Sequence, residues 1–325
     1  MMVNRTIGWG LILATLLMSQ MSCASWGKKK GPLQARQPLT QSQKEELLKE
    51  VDTLQKQVDD RMTKAAKGTA ADLIADYPQI AEYELQVFID AEMFLSQNKY
   101  LRAAKKYEKC LEDYTDNTLR DPTVKRLYNI GIEYLNGRKR VLLGIFRLNG
   151  YAQGIEMLDT VTEAEGLEDP NGLGVQGALA VADNYEHRQS YEDAYLKWLE
   201  ISTVWENGRL GKQALLGMAR NKHAAYNKHP AAKRHLFDAS SLKAAKTYYE
   251  KYTVLYPEDA KSRGIPDIIT EIDEQMAYKE YTIGQYYLRT GKVQAANIYF
   301  DMVLTRWPES ETAQRVRETL SQSSN

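Results

Sequence analysis

The chain has 325 residues, enough for one extended domain or two compact ones. It carries 43 basic residues (Lys and Arg) and 43 acidic residues (Asp and Glu), so it lacks the basic excess that usually marks nucleic-acid binding. Its two cysteines exclude a disulfide framework. Long stretches rich in Ala, Leu, Lys, Glu and Tyr predict an all-α fold.

Residues 1–22 predict the signal peptide of an exported lipoprotein. Arg5 supplies the positive charge at the start, and an apolar core runs from Ile7 to Met18. This core is too short to span a bilayer of about 30 Å, which separates a signal peptide from a membrane helix. We therefore expect the mature protein to lie outside the cytoplasm.

Cys23 follows the apolar core directly and resembles the acylated cysteine of bacterial lipoproteins. Ser22 fits the usual sequence around such a cysteine, whereas Gln20 and Met21 depart from it. Ordinary cleavage after Ala24 is the alternative. With Ala24 as the second mature residue, a lipid on Cys23 would hold the protein at the periplasmic face of the outer membrane without spanning it.

The next two segments are predicted to connect this anchor to the body of the protein. Residues 23–40 are polar and contain Gly and two Pro, which predicts a flexible tether. Residues 41–78 predict an N-terminal helical segment, with a helix over 41–67. Two heptads are too few for a coiled coil, so we expect an amphipathic helix that packs on the body through Leu47, Val51, Leu54 and Val58.

Residues 79–325 predict a solenoid of tetratricopeptide (TPR) repeats. In the last repeat, twelve residues separate Gly284 from Ala296, and these small residues would let two antiparallel helices approach closely. Tyr287 and Phe300 would fill the space where the helices diverge. This order of small and large residues, closed by a proline, matches the TPR signature.

Four further copies of the pattern precede the last one, so about five helix hairpins cover residues 80 to 320. Segments inserted into the second and fourth copies, at 138–149 and around 227–241, lengthen the turns between their helices. The small residues that mark the four copies are Ala91 with Ala103, Gly131 with Gly154, Ala182 with Ala194, and Gly217 with Ala245.

The first helices of such repeats usually line a concave groove that binds a partner. The alternative for each of these positions is that it packs on a neighbouring repeat. The positions expected to line the groove are Leu85, Phe88, Glu92, Lys125, Tyr128, Ile132, Gln176, Leu179, Asp183, Tyr278, Tyr281 and Gln285.

The insertion at residues 137–151 combines a basic cluster with several large apolar residues. One hypothesis is an amphipathic loop that touches the membrane or a partner, and the alternative is a cap over the core between two repeats. The insertion in the fourth repeat holds His229 and His235, which have no metal-ligand spacing and are expected in a solvated basic loop.

The sequence contains no convincing catalytic, metal or nucleotide site. Gly172, Gly174 and Gly177 match G-x-G-x-x-G, but the residues before them are turn-like rather than a strand, so they are expected at the start of a helix. Cys110 falls at a small packing position and is expected to be a buried thiol. We therefore expect neither an enzyme nor a bound cofactor, apart from the lipid on Cys23.

The chain resembles the BamD family (also called YfiO or ComL) of outer-membrane assembly lipoproteins. Three stretches carry the likeness: FLSQNKYLRAAKKYEKCLEDY, YYEKYTVLYPEDA and YYLRTGKVQAANIYFDMVLTRWPES. The resemblance implies a periplasmic scaffold that binds an Omp85-type barrel insertase (BamA-like) and unfolded outer-membrane proteins. The two insertions and the helix at 41–67 depart from the family. A different exported TPR adaptor, one that organises another cell-envelope complex, is the alternative.

Overall fold

The computed structural model describes residues 38–114, 117–142 and 145–323. The predicted signal peptide, Cys23 and all but the end of the tether lie outside the described residues. Contacts divide the chain into Met1–Pro38 and Leu39–Asn325, and the second unit contains its own hydrophobic core. No helix among the described residues combines the length and the apolar character needed to cross a membrane.

The N-terminal segment forms two helices and a short third one rather than the single helix expected over 41–67. Helix α1 spans Gln41–Asp59, α2 spans Thr63–Asp76, and α3 spans Pro78–Ala81. The chain turns between α1 and α2 because Arg61 adopts a left-handed backbone conformation (φ 59°). The predicted apolar stripe of α1 is buried, and it faces α2 and α4, as expected for an amphipathic helix packed on the body.

Five helix hairpins follow in the described part of the chain, which confirms an all-α helical repeat fold. Each helix packs mainly on the helices before and after it. Helix α12 (Pro257–Ser262) connects the fourth and fifth hairpins, and α15 (Glu311–Ser323) packs on the fifth. The five hairpins are α4 (Glu84–Ser96) with α5 (Tyr100–Asp113), α6 (Arg120–Leu135) with α7 (Tyr151–Glu165), α8 (Leu173–His187) with α9 (Tyr191–Val204), α10 (Gly208–Asn227) with α11 (Ser240–Leu255), and α13 (Ile265–Arg289) with α14 (Val293–Arg306).

The last hairpin shows the predicted packing of small against large residues. A Cβ atom added to Gly284 would lie 2.6 Å from the ring of Phe300, which is almost fully buried. Ala296 is fully buried, and Gly291 in the turn has φ +75°, a conformation that residues with a side chain rarely adopt. Tyr287 stacks on Tyr299 with 5.6 Å between the ring centroids.

Both insertions lie between the first and second helix of a hairpin. The insertion in the second hairpin, expected to be a loop, forms an antiparallel β-hairpin of strands β1 (Lys139–Leu142) and β2 (Phe146–Asn149). Lys139 pairs with Asn149, and Leu142 pairs with Phe146. The insertion in the fourth hairpin contains a 3₁₀ helix, Ala231–Leu236, that packs on α10 and α13.

A buried ion pair joins the N-terminal helices to the first two hairpins. The guanidinium of Arg126 donates two hydrogen bonds to the carboxylate of Glu92, at 2.9 and 3.0 Å, and a third to Asp59 at 2.7 Å. Tyr107 donates its hydroxyl to the Glu92 carboxylate at 2.8 Å, and Arg126 also reaches the carbonyl of Gln55 at 3.0 Å. Helices α1, α4, α5 and α6 therefore meet at one satisfied polar cluster, as a buried charge requires.

Substitution of Gly284 by Ala should lower the free energy of unfolding by about 1–3 kcal/mol, because its Cβ would overlap the Phe300 ring. The matched control is Gly68→Ala in helix α2, where an added Cβ would meet no atom within 4 Å. That control should be stabilising by about 0.5–1 kcal/mol, since alanine favours a helix over glycine. Urea unfolding followed by circular dichroism measures both. Equal effects at the two sites would contradict this account of the packing.

Replacement of Glu92 by Gln should lower the free energy of unfolding by about 3 kcal/mol, because it takes the charged partner from the buried Arg126. Asp90→Asn on the same helix is the control. It removes a partly exposed ion pair with Lys106 and should cost less than about 1 kcal/mol. The same unfolding measurement compares the two variants, and a loss at Asp90 as large as at Glu92 would refute the importance of the buried pair.

Candidate partner-binding surface

The first hairpin does not present its predicted groove residues to solvent. Leu85, Phe88 and Glu92 are all fully buried, so their assignment to an open groove is wrong. The physical reason is that α1 and α2 pack on α4 and cover the face that a partner would use. Phe88 lies edge-on to Tyr107, 5.8 Å between centroids, and Glu92 belongs to the buried ion pair.

The second and third hairpins keep part of their predicted groove residues accessible. The side chains of Lys125, Gln176 and Asp183 are exposed, and those of Tyr128, Ile132 and Leu179 are half-buried. Tyr128 and Ile132 pack on a small apolar cluster that includes Leu158 and Val181. The Tyr128 hydroxyl lies 3.5 Å from the Gln176 amide oxygen, which links α6 to α8. A role for this surface in partner binding stays a prediction.

The fifth hairpin brings its three predicted groove residues together in a cleft of about 570 Å³. One wall is helix α13, which carries the tyrosines. The opposite wall is the end of the 3₁₀ helix from the insertion in the fourth hairpin. We call this site the aromatic cleft and define it by His235, Leu236, Tyr278, Tyr281, Gln285 and Tyr286.

Hydrogen bonds and ring contacts hold the two walls in place. The ammonium group of Lys279 on α13 donates to the carbonyl of His235 at 2.9 Å and to that of Phe237 at 2.7 Å. The His235 ring packs edge-on to Tyr278, with 5.5 Å between the centroids. Within α13, Gln285 donates to the Tyr281 hydroxyl at 3.0 Å. The cleft is therefore preformed, with its aromatic rings held by neighbouring groups.

The aromatic cleft combines accessible apolar surface with a few polar groups. The side chain of Leu236 is 69% exposed, that of Tyr286 is 58% exposed, and that of Tyr278 is 37% exposed. The buried Nδ1 atom of His235 has no hydrogen-bond partner among the residues that the structure describes. Tyrosine rings offer flat apolar contacts and a hydroxyl at the rim, so this arrangement suits a peptide with alternating apolar and polar side chains.

Sequence reasoning missed His235, Leu236 and Tyr286. The insertion around 227–241 was expected to be a solvated basic loop. In the structure, the guanidinium of Arg234 donates hydrogen bonds to the carbonyls of His229 and Asn227, and these bonds hold the segment in one conformation. The signal that could have revealed it is the pair of large apolar residues Leu236 and Phe237, in an insertion whose other residues are polar or small. Two large apolar residues there indicate contact with another surface.

Two other predicted positions are structural. Cys110 is fully buried, where its sulfur lies 3.9 Å from the Thr123 hydroxyl, and burial raises the pKa of the thiol to about 11. It therefore stays protonated at neutral pH, as expected for a packing residue. Gly172 lies at the N-terminus of α8, and it follows helix α7 and a turn rather than a strand, which confirms the expected place of the glycine motif.

Comparison with known proteins finds a family resemblance in the C-terminal part of the chain. Residues 179–323 match the model of the YfiO family, described as outer membrane lipoproteins. A search of curated proteins finds no match. The crystal structure of PilW, a widely conserved type IV pilus biogenesis factor, aligns with 86% of this chain and 99% of its own at 16% identity. Its TM-score of 0.29 is too low to support an argument. The resemblance to the BamD (YfiO) family of outer membrane lipoproteins is thus confirmed for residues 179–323, which include the whole aromatic cleft.

Proposed function

We propose that this protein is a BamD-like scaffold of the outer-membrane β-barrel assembly machinery. A lipid on Cys23 would hold it at the periplasmic face of the outer membrane. There it would bind an Omp85-type barrel insertase (BamA-like) and unfolded outer-membrane proteins. The observation that carries the proposal is the position of the aromatic cleft, which lies entirely within the residues that match the family of outer membrane lipoproteins.

The chemistry of the aromatic cleft suits an unfolded barrel strand. Strands of outer-membrane barrels alternate apolar and polar residues, with aromatic residues near the membrane surfaces. In an extended peptide, every second side chain points the same way, so one set can contact the rings of Tyr278 and Tyr286. The other set and the peptide backbone can form hydrogen bonds with Gln285. Such binding requires no nucleophile, metal or cofactor.

The binding of the insertase is assigned to a second surface. Lys125, Gln176 and Asp183 lie on the first helices α6 and α8, and their exposed side chains include both signs of charge. Mixed charges at the rim of an interface favour a specific orientation of the partner more than high affinity. A scaffold with separate sites for a client and for the insertase can hold both at once, which is the role proposed for this protein.

Photo-crosslinking in cells tests the proposal. A benzophenone amino acid in place of Tyr286 should capture outer-membrane proteins or an Omp85-type barrel, identified by mass spectrometry. The matched control carries the same amino acid in place of Ile298, which is 63% exposed on the second helix α14 and lies outside the cleft. Adding Tyr278→Ala to the Tyr286 variant should lower the crosslink yield about tenfold, because aromatic anchors contribute most to binding.

Each outcome decides between the two functions that the sequence left open. Crosslinks to barrel proteins at position 286 and not at 298 would support the assembly role. Capture of a different envelope complex at position 286 would overturn it in favour of another exported adaptor. Equal crosslinking at positions 286 and 298 would mean that the aromatic cleft is not a binding site.

A further inference from the structure

The β-hairpin in the second repeat combines basic residues with large apolar ones. Residues 137–151 contain four basic residues and no acidic residue, whereas the whole chain has as many acidic as basic residues. All four residues of strand β2 are exposed, so this strand does not cap the core between two repeats. Strand β2 therefore faces solvent.

The base of the hairpin is attached firmly to the helices. The guanidinium of Arg138 lies over the Tyr100 ring, 3.7 Å from its centroid, and it pairs with the carboxylate of Glu133. Gly150, at the other end, lies so close to the Tyr134 ring that no side chain would fit. The hairpin is therefore held at its base by α5 and α6.

The hairpin carries large exposed apolar residues close to basic ones. The side chain of Ile145 is 76% exposed and that of Phe146 is 57% exposed, and Leu148 is also exposed. Because side chains alternate along a strand, Phe146 and Leu148 share one face, and Arg147 lies on the other. Arg140 pairs with Leu148 and therefore lies on the face of Phe146 and Leu148. The pairing of Lys139 with Asn149 puts Lys139 on the same face as Arg147.

We infer that this hairpin is a membrane-contact site for anionic phospholipids. Phe146, Ile145 and Leu148 would enter the boundary between headgroups and acyl chains, and Lys139 and Arg147 would reach the lipid phosphates. Charge complementarity favours this occupant, because a cationic segment without a carboxylate is attracted to an anionic surface. Long basic side chains can extend from an apolar base toward such headgroups.

This contact goes beyond the proposed lipid anchor. A lipid chain on Cys23 would keep the protein near the membrane, but it would leave the helical body able to rotate about the tether. A second contact fixed rigidly to α5 and α6 would orient the repeats relative to the bilayer. It does not depend on the assembly role, because the hairpin lies outside the residues that match the family model.

Vesicle flotation tests the site with residues 26–325. This chain keeps the whole unit Leu39–Asn325, which has its own core, and lacks Cys23 and the apolar signal sequence. We expect it to bind vesicles of phosphatidylethanolamine and phosphatidylglycerol, less at high salt, and not to bind phosphatidylcholine vesicles. Ile145→Ser with Phe146→Ser should lower the partition coefficient about tenfold or more, and Lys139→Gln with Arg147→Gln should do the same.

The matched control is Val254→Ser with Ile298→Ser, two exposed apolar residues on the second helices α11 and α14, which should leave binding unchanged. Circular dichroism checks that every variant is folded. The proposal is overturned if the parent chain does not bind anionic vesicles, or if the Ile145 and Phe146 double variant binds as the parent does. Loss in the basic variant alone would also overturn it, since binding would then be electrostatic and without insertion of the apolar residues.

Discussion

The close approach of paired helices depends on a residue with little or no side chain opposite a large one. The Phe300 ring packs directly against Gly284, and the Trp198 ring packs directly against Gly217 between the third and fourth hairpins. In both cases a Cβ atom on the glycine would come within 3 Å of the ring. A single hairpin cannot bury the large side chains on both of its faces, so each repeat needs its neighbours. The stacked fold follows from this local constraint.

The same constraint determines where new surfaces can arise. Residues at the helix crossings cannot change without loss of packing, whereas the turn between the two helices of a hairpin tolerates extra chain. Both insertions are in such turns, and both expose large apolar residues, Phe146 in one and Leu236 in the other. The β-hairpin and the aromatic cleft are therefore features added to the repeat rather than parts of its core.

The sequence predicted the hairpins well because the spacing of small and large residues reflects contacts within one repeat. Gly284, Ala296 and Phe300 could be assigned from spacing alone. The groove was predicted less well, because helical spacing identifies a face of a helix but not what covers it. Phe88 and Glu92 lie on the expected face of α4, yet α1 and α2 pack there. Neither insertion follows the repeat period, so the β-hairpin and the 3₁₀ helix gave no periodic signal.

The covered first hairpin and the accessible fifth hairpin imply a division of roles along the chain. For a partner to reach the first-helix face of α4, α1 would have to separate, and the buried Glu92 and Arg126 would lose their contacts with Gln55 and Asp59. That cost makes the N-terminal end a closed structural unit. At the fifth hairpin, a short 3₁₀ helix forms the wall opposite α13, and Tyr278 and Tyr286 stay accessible beside it. A peptide can bind there without displacing any helix, so ligand binding at the C-terminal end is compatible with an intact fold.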